Sequence, residues 1–256
     1  MYMTNPKLSL DILTLAVPTI DDARSFYSSA FSLPDTSLDL HGAGDLALEA
    51  AVTSGEVTDF QGLVISYIVD QPSEVEFLLA AAAAAGGEVL KPAKKGFFGG
   101  FTAVFRAPDG AIWKLATDKK KDSGPAAVPP KPTETVCILG VDDPKASKSF
   151  YTALGMTVDR DYGKKFIDFT FDAGASRLGL LRRSELAKDA GVSDADSGGG
   201  TSVLVSRQLS REDVDGLLTV ATAAGGQISA PASAVEGGYA GRFTDPDGFT
   251  WKVTTF

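Results

Sequence analysis

The chain has 256 residues, of which 44% are hydrophobic and 22% are charged, enough for two packed domains of ordinary size. Its formal net charge of −9 argues against nucleic acid and membrane as partners, because both prefer a basic protein surface. The single cysteine, Cys137, excludes an internal disulfide and favours a reducing compartment. With neither a long apolar run nor a signal-peptide pattern, the sequence predicts a cytoplasmic protein that handles small molecules.

The first half predicts two units, each a strand, a helix and three further strands. LDILTLAV (residues 10–17) is typical of a buried strand, and residues 21–30 have helical spacing. Short strands are predicted at LDL and LALEA, around the HGAG turn. The second unit has the strand LVISYIVD, the helix PSEVEFLLAAAAAAGG with its glycine stop, and strands at GEVL, FTAVFRA and AIWKLA.

The second half predicts the same order of elements after a linker at residues 119–132, which is rich in Lys, Pro and Ala. Its strands include TVCILGV, KFIDFTF, RLGLLRR and TSVLVSR, and its helices are PKASKSFYTALG and REDVDGLLTVATAAGG. The Asp-rich stretch at residues 185–200 lacks the spacing of a calcium loop and is predicted to be a solvated connection. The predicted domains therefore span residues 8–118 and 133–256.

The two halves end in nearly the same amino-acid sequence. GGFTAVFRAPDGAIWKLAT ends at Thr117 and GGYAGRFTDPDGFTWKVTT ends at Thr255, so Trp113 and Trp251 correspond. An internal repeat of this length predicts a duplicated architecture.

A second repeated pattern joins the first. A strand-ending Val, a short acidic turn and a helix with Phe-Tyr appear as VPTIDDARSFY (residues 17–27) and VDDPKASKSFY (residues 141–151). Together with the closing Pro-Asp-Gly-x-x-Trp pattern, they resemble the vicinal oxygen chelate superfamily: glyoxalase I, extradiol dioxygenases, fosfomycin-resistance transferases and bleomycin-binding proteins. The resemblance covers residues 8–256. It implies an α+β fold in which four βαβββ units form two glyoxalase-like domains with open, cup-shaped mixed sheets.

The resemblance also implies a divalent metal in each cup, held by His, Gln and Glu. The corresponding positions are Ile12, Glu49, Val64 and Lys114 in the first half and Val136, Leu181, Val203 and Lys252 in the second. Aliphatic side chains offer no lone pair and a protonated lysine repels a cation, so only Glu49 suits a metal. We therefore expect no metal and no other cofactor.

The Trp-Lys pairs predict what the cups contain instead. Neighbouring strand residues point to opposite faces, so tryptophans packed under the helices would direct Lys114 and Lys252 into the cups. The expected ligand-binding residues are Lys114, Lys252, Glu49, Ile12, Val64, Val136 and Val203, with Phe97, Phe98, Phe101 and Tyr239 near the mouth. Each lysine has three possible fates: pairing with Glu49, contacting a ligand anion, or reaching the rim. Because Leu181 replaces the carboxylate in the second half, we expect one lysine to be better neutralised than the other.

The leading interpretation is a metal-independent binding protein that sequesters or carries a small amphipathic or aromatic molecule. It would act as a monomeric pseudo-dimer or as a homodimer. The alternative is a lyase, isomerase or dioxygenase of the same superfamily with an atypical site, and a scaffold with vestigial cups is a third option. The sequence leaves open whether each cup forms within one half or between the halves.

Overall fold

The computed structural model describes residues 6–34, 36–51, 60–95, 100–172, 175–194 and 202–255. The first half forms β1 (Ile12–Val17), α1 (Ile20–Phe31), β2 (Asp45–Ala50), β3 (Leu63–Ile68), α2 (Pro72–Ala84), β4 (Glu88–Lys95), β5 (Phe101–Arg106) and β6 (Ile112–Thr117). The second half forms β7 (Glu134–Val141), α3 (Pro144–Ala153), β8 (Val158–Asp161), β9 (Ile167–Phe169), β10 (Arg177–Arg182), α4 (Arg183–Ala190), β11 (Val203–Gln208), α5 (Arg211–Ala223), β12 (Gln227–Val235), β13 (Gly238–Thr244) and β14 (Thr250–Thr255). Among the described residues, no helix is long and apolar enough to cross a membrane.

The strands form two mixed sheets. Sheet A has the order β12-β13-β14-β11-β1-β2, and sheet B has the order β4-β5-β6-β3-β7-β10-β9-β8. Antiparallel pairing of β1 with β11 joins the halves in sheet A, and pairing of β3 with β7 joins them in sheet B. The predicted fold class is thereby confirmed, and each sheet draws strands from both halves. The domain boundaries at residues 8–118 and 133–256 stay a prediction about the sequence halves.

The first unit departs from the expected pattern of three strands after its helix. The predicted strand at LDL is reduced to an isolated bridge between Asp39 and Asp45. Sheet A therefore ends at β2, whereas β9 and β8 extend sheet B beyond the corresponding strand β10.

The repeated closing motif builds the core on the helix side of both sheets. Trp113 and Trp251 are fully buried, and each is stacked nearly parallel on the cross-strand phenylalanine. The ring centroids of Phe105 and Trp113 lie 6.4 Å apart, and those of Phe243 and Trp251 lie 6.3 Å apart. Directly paired aromatic residues are a stabilising unit of antiparallel sheets, so the motif fixes the register of β5–β6 and β13–β14.

The buried tyrosine of each Phe-Tyr motif bonds to an aspartate of the closing turn. Tyr27 Oη donates to Asp109 over 2.6 Å, and Tyr151 Oη donates to Asp245 over 2.5 Å. The two aspartates are not equivalent in the repeat, because Asp245 aligns with Ala107. A buried hydroxyl needs a partner, and the two halves satisfy this need from different positions of the same turn.

The predicted linker is anchored along its length to the start of α2. The buried Glu74 carboxylate accepts hydrogen bonds from the backbone N–H groups of Asp70 and Ala127 at 3.0 and 3.1 Å. The Gln71 side chain bonds to Ser123 and Gly124. The linker thus packs on the first half.

The buried Asp245 predicts a specific pH dependence of stability. Its carboxylate accepts bonds from the backbone of Asp247 and Phe249, but burial dominates and raises its pKa to about 6 from 3.8. The folded state therefore holds a proton that the unfolded state releases, so stability falls as pH rises from about 4 to 6. We expect Asp245→Asn to flatten the profile there by up to about 1.4 kcal/mol per pH unit. Urea unfolding of both proteins at several pH values measures this slope, and identical profiles would contradict the assignment.

Candidate ligand-binding faces of the two sheets

The face of each sheet opposite the helix-side core is called here its inner face. In β14, buried Trp251 and Val253 alternate with half-buried Thr250, Lys252 and Thr254. Successive residues of a strand point to opposite faces, so Lys252 lies on the inner face of sheet A as the Trp-Lys pattern predicts.

Lys252 belongs to a row of directly paired residues that crosses sheet A. Its directly paired neighbours are Arg242 on β13 and Val205 on β11. Val205 pairs with Ile12 on β1, and Ile12 pairs with Asp45 on β2. The neighbouring row contains Thr244, Thr250, Val203, Thr14 and Ala47. The inner face thus has an apolar centre, hydroxyl groups beside it and charges at both ends.

The cationic end of this row has no anionic partner in the part of the chain that the structure describes. Lys252 and Arg242 are both half-buried, and neither forms an ion pair or side-chain hydrogen bond with any described residue. Directly paired residues have Cβ atoms about 5 Å apart, and like charges at that separation destabilise a sheet. Two adjacent cations in a partly desolvated position favour the binding of an anion.

The other end of the row is acidic and borders an open cleft. The cleft has a volume of about 410 Å³, and its lining includes Ile12, Asp45, Ala47 and Arg207. Burial is the main cause that raises the pKa of Asp45, and Asp39 adds to it. Arg207, which also lines this cleft, lowers the pKa of Asp45 and so opposes both effects. The β13–β14 end of the inner face therefore carries adjacent cations, whereas the β2 end carries charges of both signs.

The inner face of sheet B is covered by a helix of the protein itself. Residues 183–190 form α4, so the predicted solvated connection was wrong for this part. Leu186, Ala187 and Ala190 of α4 are buried in one apolar cluster with inner-face residues of β3, β5, β6 and β7. Those residues are Val64, Val104, Ile112, Val136 and Ile138. Apolar burial thus seats α4 on this face.

Two lysines of the first half bond to the end of α4. Lys114 Nζ donates to Asp189 Oδ2 at 2.5 Å. Lys91 Nζ donates to the backbone carbonyls of Lys188 and Asp189 at 2.7 and 2.6 Å. Desolvation lowers the pKa of Lys91, while Asp189 opposes that effect. Cations near a helix C-terminus are stabilising, so these contacts and the apolar burial together hold α4 on sheet B.

The structure divides the predicted cup residues between the two sheets. Ile12, Val203 and Lys252 share the inner face of sheet A; Val64, Val136 and Lys114 share that of sheet B. Glu49 is exposed on β2, where it pairs with Ala16, two rows from the row of Lys252. Pairing with Glu49 was one of three possible fates of each lysine, and Lys114 pairs instead with Asp189.

Two predicted aromatic residues lie on the wrong face for a cup. Phe101 is buried in the main core with Phe105, and Tyr239 bonds to Asp215 of α5 at 3.0 Å. Both precede a core phenylalanine by four positions, so strand alternation directs them to the helix side. Phe97 and Phe98 lie outside the described residues.

Two functional features were missed from the sequence, although each had a signal. Arg242 aligns with Val104 within the repeat, so comparing the two closing motifs would have exposed the extra cation. Leu186 and Ala190 are one helical turn apart, a spacing that indicates a buried helix face.

A comparison of the sequence with known protein families agrees with the observed fold. Residues 135–253 match the family described as the Glyoxalase/Bleomycin resistance protein/Dioxygenase superfamily. The match lies in the second half of the chain, whose repeated motifs also occur in the first half. A comparison with proteins of curated function finds no match.

Solved structures of the superfamily fold extend the likeness over both halves. Glyoxalase I from Zea mays is 16% identical, with a TM-score of 0.65 over 97% of this chain and 92% of that one. A putative dioxygenase from Bacillus subtilis subsp. subtilis str. 168 is 15% identical, with a TM-score of 0.63 over 97% and 86%. A glyoxalase-related enzyme from Fulvimarina pelagi is 29% identical over 47% of this chain and 86% of that one, with a TM-score of 0.44. At these identities the likeness concerns the fold.

The side chains present do not fit the divalent metal that the superfamily resemblance implies. The described residues contain no group of three His, Cys, Asp or Glu side chains arranged for a metal. Lys252 beside Arg242 on one inner face, and Lys114 beside α4 on the other, would repel a cation. We therefore derive no chemistry through a metal.

The lone cysteine and histidine do not supply a reactive group. Cys137 is 1% exposed, and burial raises the pKa of its thiol to about 12, which keeps it protonated. The Nε2 atom of His41 lies 2.9 Å from the carbonyl oxygen of Phe31, so the ring is tied to the backbone of α1.

The different surroundings of the two lysines predict different effects on stability. Lys114→Met removes the partner of Asp189 and should lower the free energy of unfolding by about 1 kcal/mol, a value reduced by partial exposure. Lys252→Met removes no ion-pair partner of any described residue and should change the free energy of unfolding by less than about 0.5 kcal/mol. Urea unfolding and a Lys114/Asp189 double-mutant cycle measure the difference. Equal costs, or no coupling in the cycle, would be inconsistent with the ion pair.

Proposed function

We propose that the protein is a metal-independent binding protein that sequesters or carries a small amphipathic anion on the inner face of sheet A. The observation that carries the proposal is the adjacent pair Lys252 and Arg242, which has no anionic partner among the described residues. A ligand carboxylate or phosphate would supply that partner. Charge-assisted hydrogen bonds to such groups are among the strongest available to a binding site.

The rest of the inner face supports an amphipathic ligand. Val203 and Val205 are buried, and Ile12 lies beside them in the paired register. Little of Val203 and Val205 is exposed, so an apolar or aromatic body would lie on half-buried Ile12 and Ala47 beside them, while its anionic group reaches toward the cations. The cleft at the other end is lined by Asp39 and Asp45 together with Arg24 and Arg207, so its charges are balanced. The adjacent cations Lys252 and Arg242 therefore favour an orientation that places the ligand anion on β13–β14.

The sheet pairing also supports a single chain as the functional unit. Each sheet already combines strands of both halves, an arrangement suited to a monomeric pseudo-dimer. We therefore propose that binding needs no second copy of the chain.

The binding proposal is tested with matched anionic and neutral probes. Benzoate, 2-naphthoate and phenyl phosphate are compared with benzamide and 2-naphthamide in thermal melts and calorimetric titrations. A ligand at about 100 times its Kd adds roughly 2.7 kcal/mol, which raises the melting temperature of a protein of this size by about 5–10 °C. We expect shifts from anions and not from their amides.

Three variants locate the site. Lys252→Met and Arg242→Met should each weaken anion binding by about 1.5–3 kcal/mol, the range for a hydrogen bond to a charged group. Lys145→Met, at an exposed position on α3, is the matched control and should bind as the wild type does. If no anion in the panel shifts the melt, or if Lys252→Met leaves the affinity unchanged, the proposal fails.

A further inference from the structure

Helix α4 offers sheet B the same two kinds of contact that an amphipathic anion would offer. Its apolar side, with Leu186, Ala187 and Ala190, lies on inner-face aliphatic residues. Its Asp189 carboxylate meets Lys114. We propose that α4 is a tethered occupant of a second binding site, which accepts a free amphipathic anion when α4 is displaced.

Two glycines allow α4 to lie close to the sheet and to Lys91. A Cβ atom on Gly140 of β7 would lie 3.1 Å from the Arg183 Cα and 3.3 Å from Leu186 Cδ2, so a larger residue would push α4 away. Gly191 ends α4 with a φ of 82°, and a Cβ there would lie 2.8 Å from the Lys91 Cε. Glycine at both positions allows close approach, as in a binding pocket fitted to its ligand.

The attachment of α4 is local and separate from the main core. The helix has 8 residues and no side-chain hydrogen bond at its N-cap, so it is not stable in isolation. Its apolar contacts belong to the smaller of the two buried clusters. Arg183 donates to the carbonyl of Phe60 at 2.7 Å and pairs with Asp194 at 3.0 Å, which tethers its first turn. Small units of this kind open below the free energy of global unfolding.

The first half provides a comparison within the same molecule. Residues 183–202 connect β10 to β11 and contain α4, whereas the shorter segment 51–62 connects β2 to β3 and lies mostly outside the described residues. The residue that corresponds to Val104 under α4 is Arg242, which is incompatible with a buried apolar cluster. Sheet B thus has both helix α4 and an apolar inner face against which the helix packs.

The experiment loosens α4 and measures binding of a fluorescent amphipathic anion, 8-anilinonaphthalene-1-sulfonate. The background variant is Lys252→Met, so that failure of the sheet A proposal does not affect the result. Asp189→Asn should raise the apparent affinity for the probe about tenfold, because the apparent Kd depends on the open fraction. Adding Lys114→Met should reverse that gain. Lys145→Met, at an exposed position of α3, is the control and should match the background.

Hydrogen exchange of the wild type provides an independent measurement, which also applies if Asp189→Asn does not fold. Amides of α4 should exchange faster than those of β7 and β10, and an excess of the probe should quicken α4 exchange further. The proposal is overturned if a folded Asp189→Asn variant binds the probe as its background does. Exchange of α4 only together with β7 would likewise show that the helix never leaves the face.

Discussion

Strand alternation at the two Trp-Lys pairs is the constraint on which the rest of the structure depends. Trp113 and Trp251 are fully buried on the helix side, stacked on their cross-strand phenylalanines. Moving either strand by one residue would expose a tryptophan and bury a lysine in the main core, which is prohibitively unfavourable. The register is therefore strongly fixed, and Lys114 and Lys252 are held on the inner faces as its unavoidable consequence.

Two nearly identical frameworks nevertheless carry different inner faces. In sheet B, Val104 lies beside Lys114, and α4 supplies both an apolar cover and a carboxylate. In sheet A, Arg242 lies beside Lys252, and no described residue neutralises the pair. Because burying an uncompensated charge is costly, each arrangement suits its own surroundings: Val104 suits a closed face, and Arg242 suits a face open to an external anion.

The repeat made most of the fold predictable, since local patterns and their duplication determine the strands and helices of each unit. The pairing of the halves was not predictable, because the same local patterns serve a cup formed within a half or between halves. The place of Glu49 depended on that pairing and on register. Phe101 and Tyr239 were misplaced although their spacing from Phe105 and Phe243 already assigned them to the helix side. Helix α4 was missed because the stretch 185–200, taken as a whole, is rich in Asp and Gly and so resembles a solvated connection, although the spacing of Leu186 and Ala190 indicates a buried helix face.

The two lysines serve as internal controls for each other. Both follow a buried tryptophan on the closing strand, so backbone position and side-chain direction are matched. In sheet B, where the chain provides a carboxylate, the Lys114 amine pairs with Asp189 at 2.5 Å, so this position favours an anionic partner. In sheet A, where the described residues provide no anion, Arg242 lies beside Lys252 and strengthens the local positive potential at a cost in self-repulsion. The anion that we propose to bind there would offset that cost, which none of the described residues does.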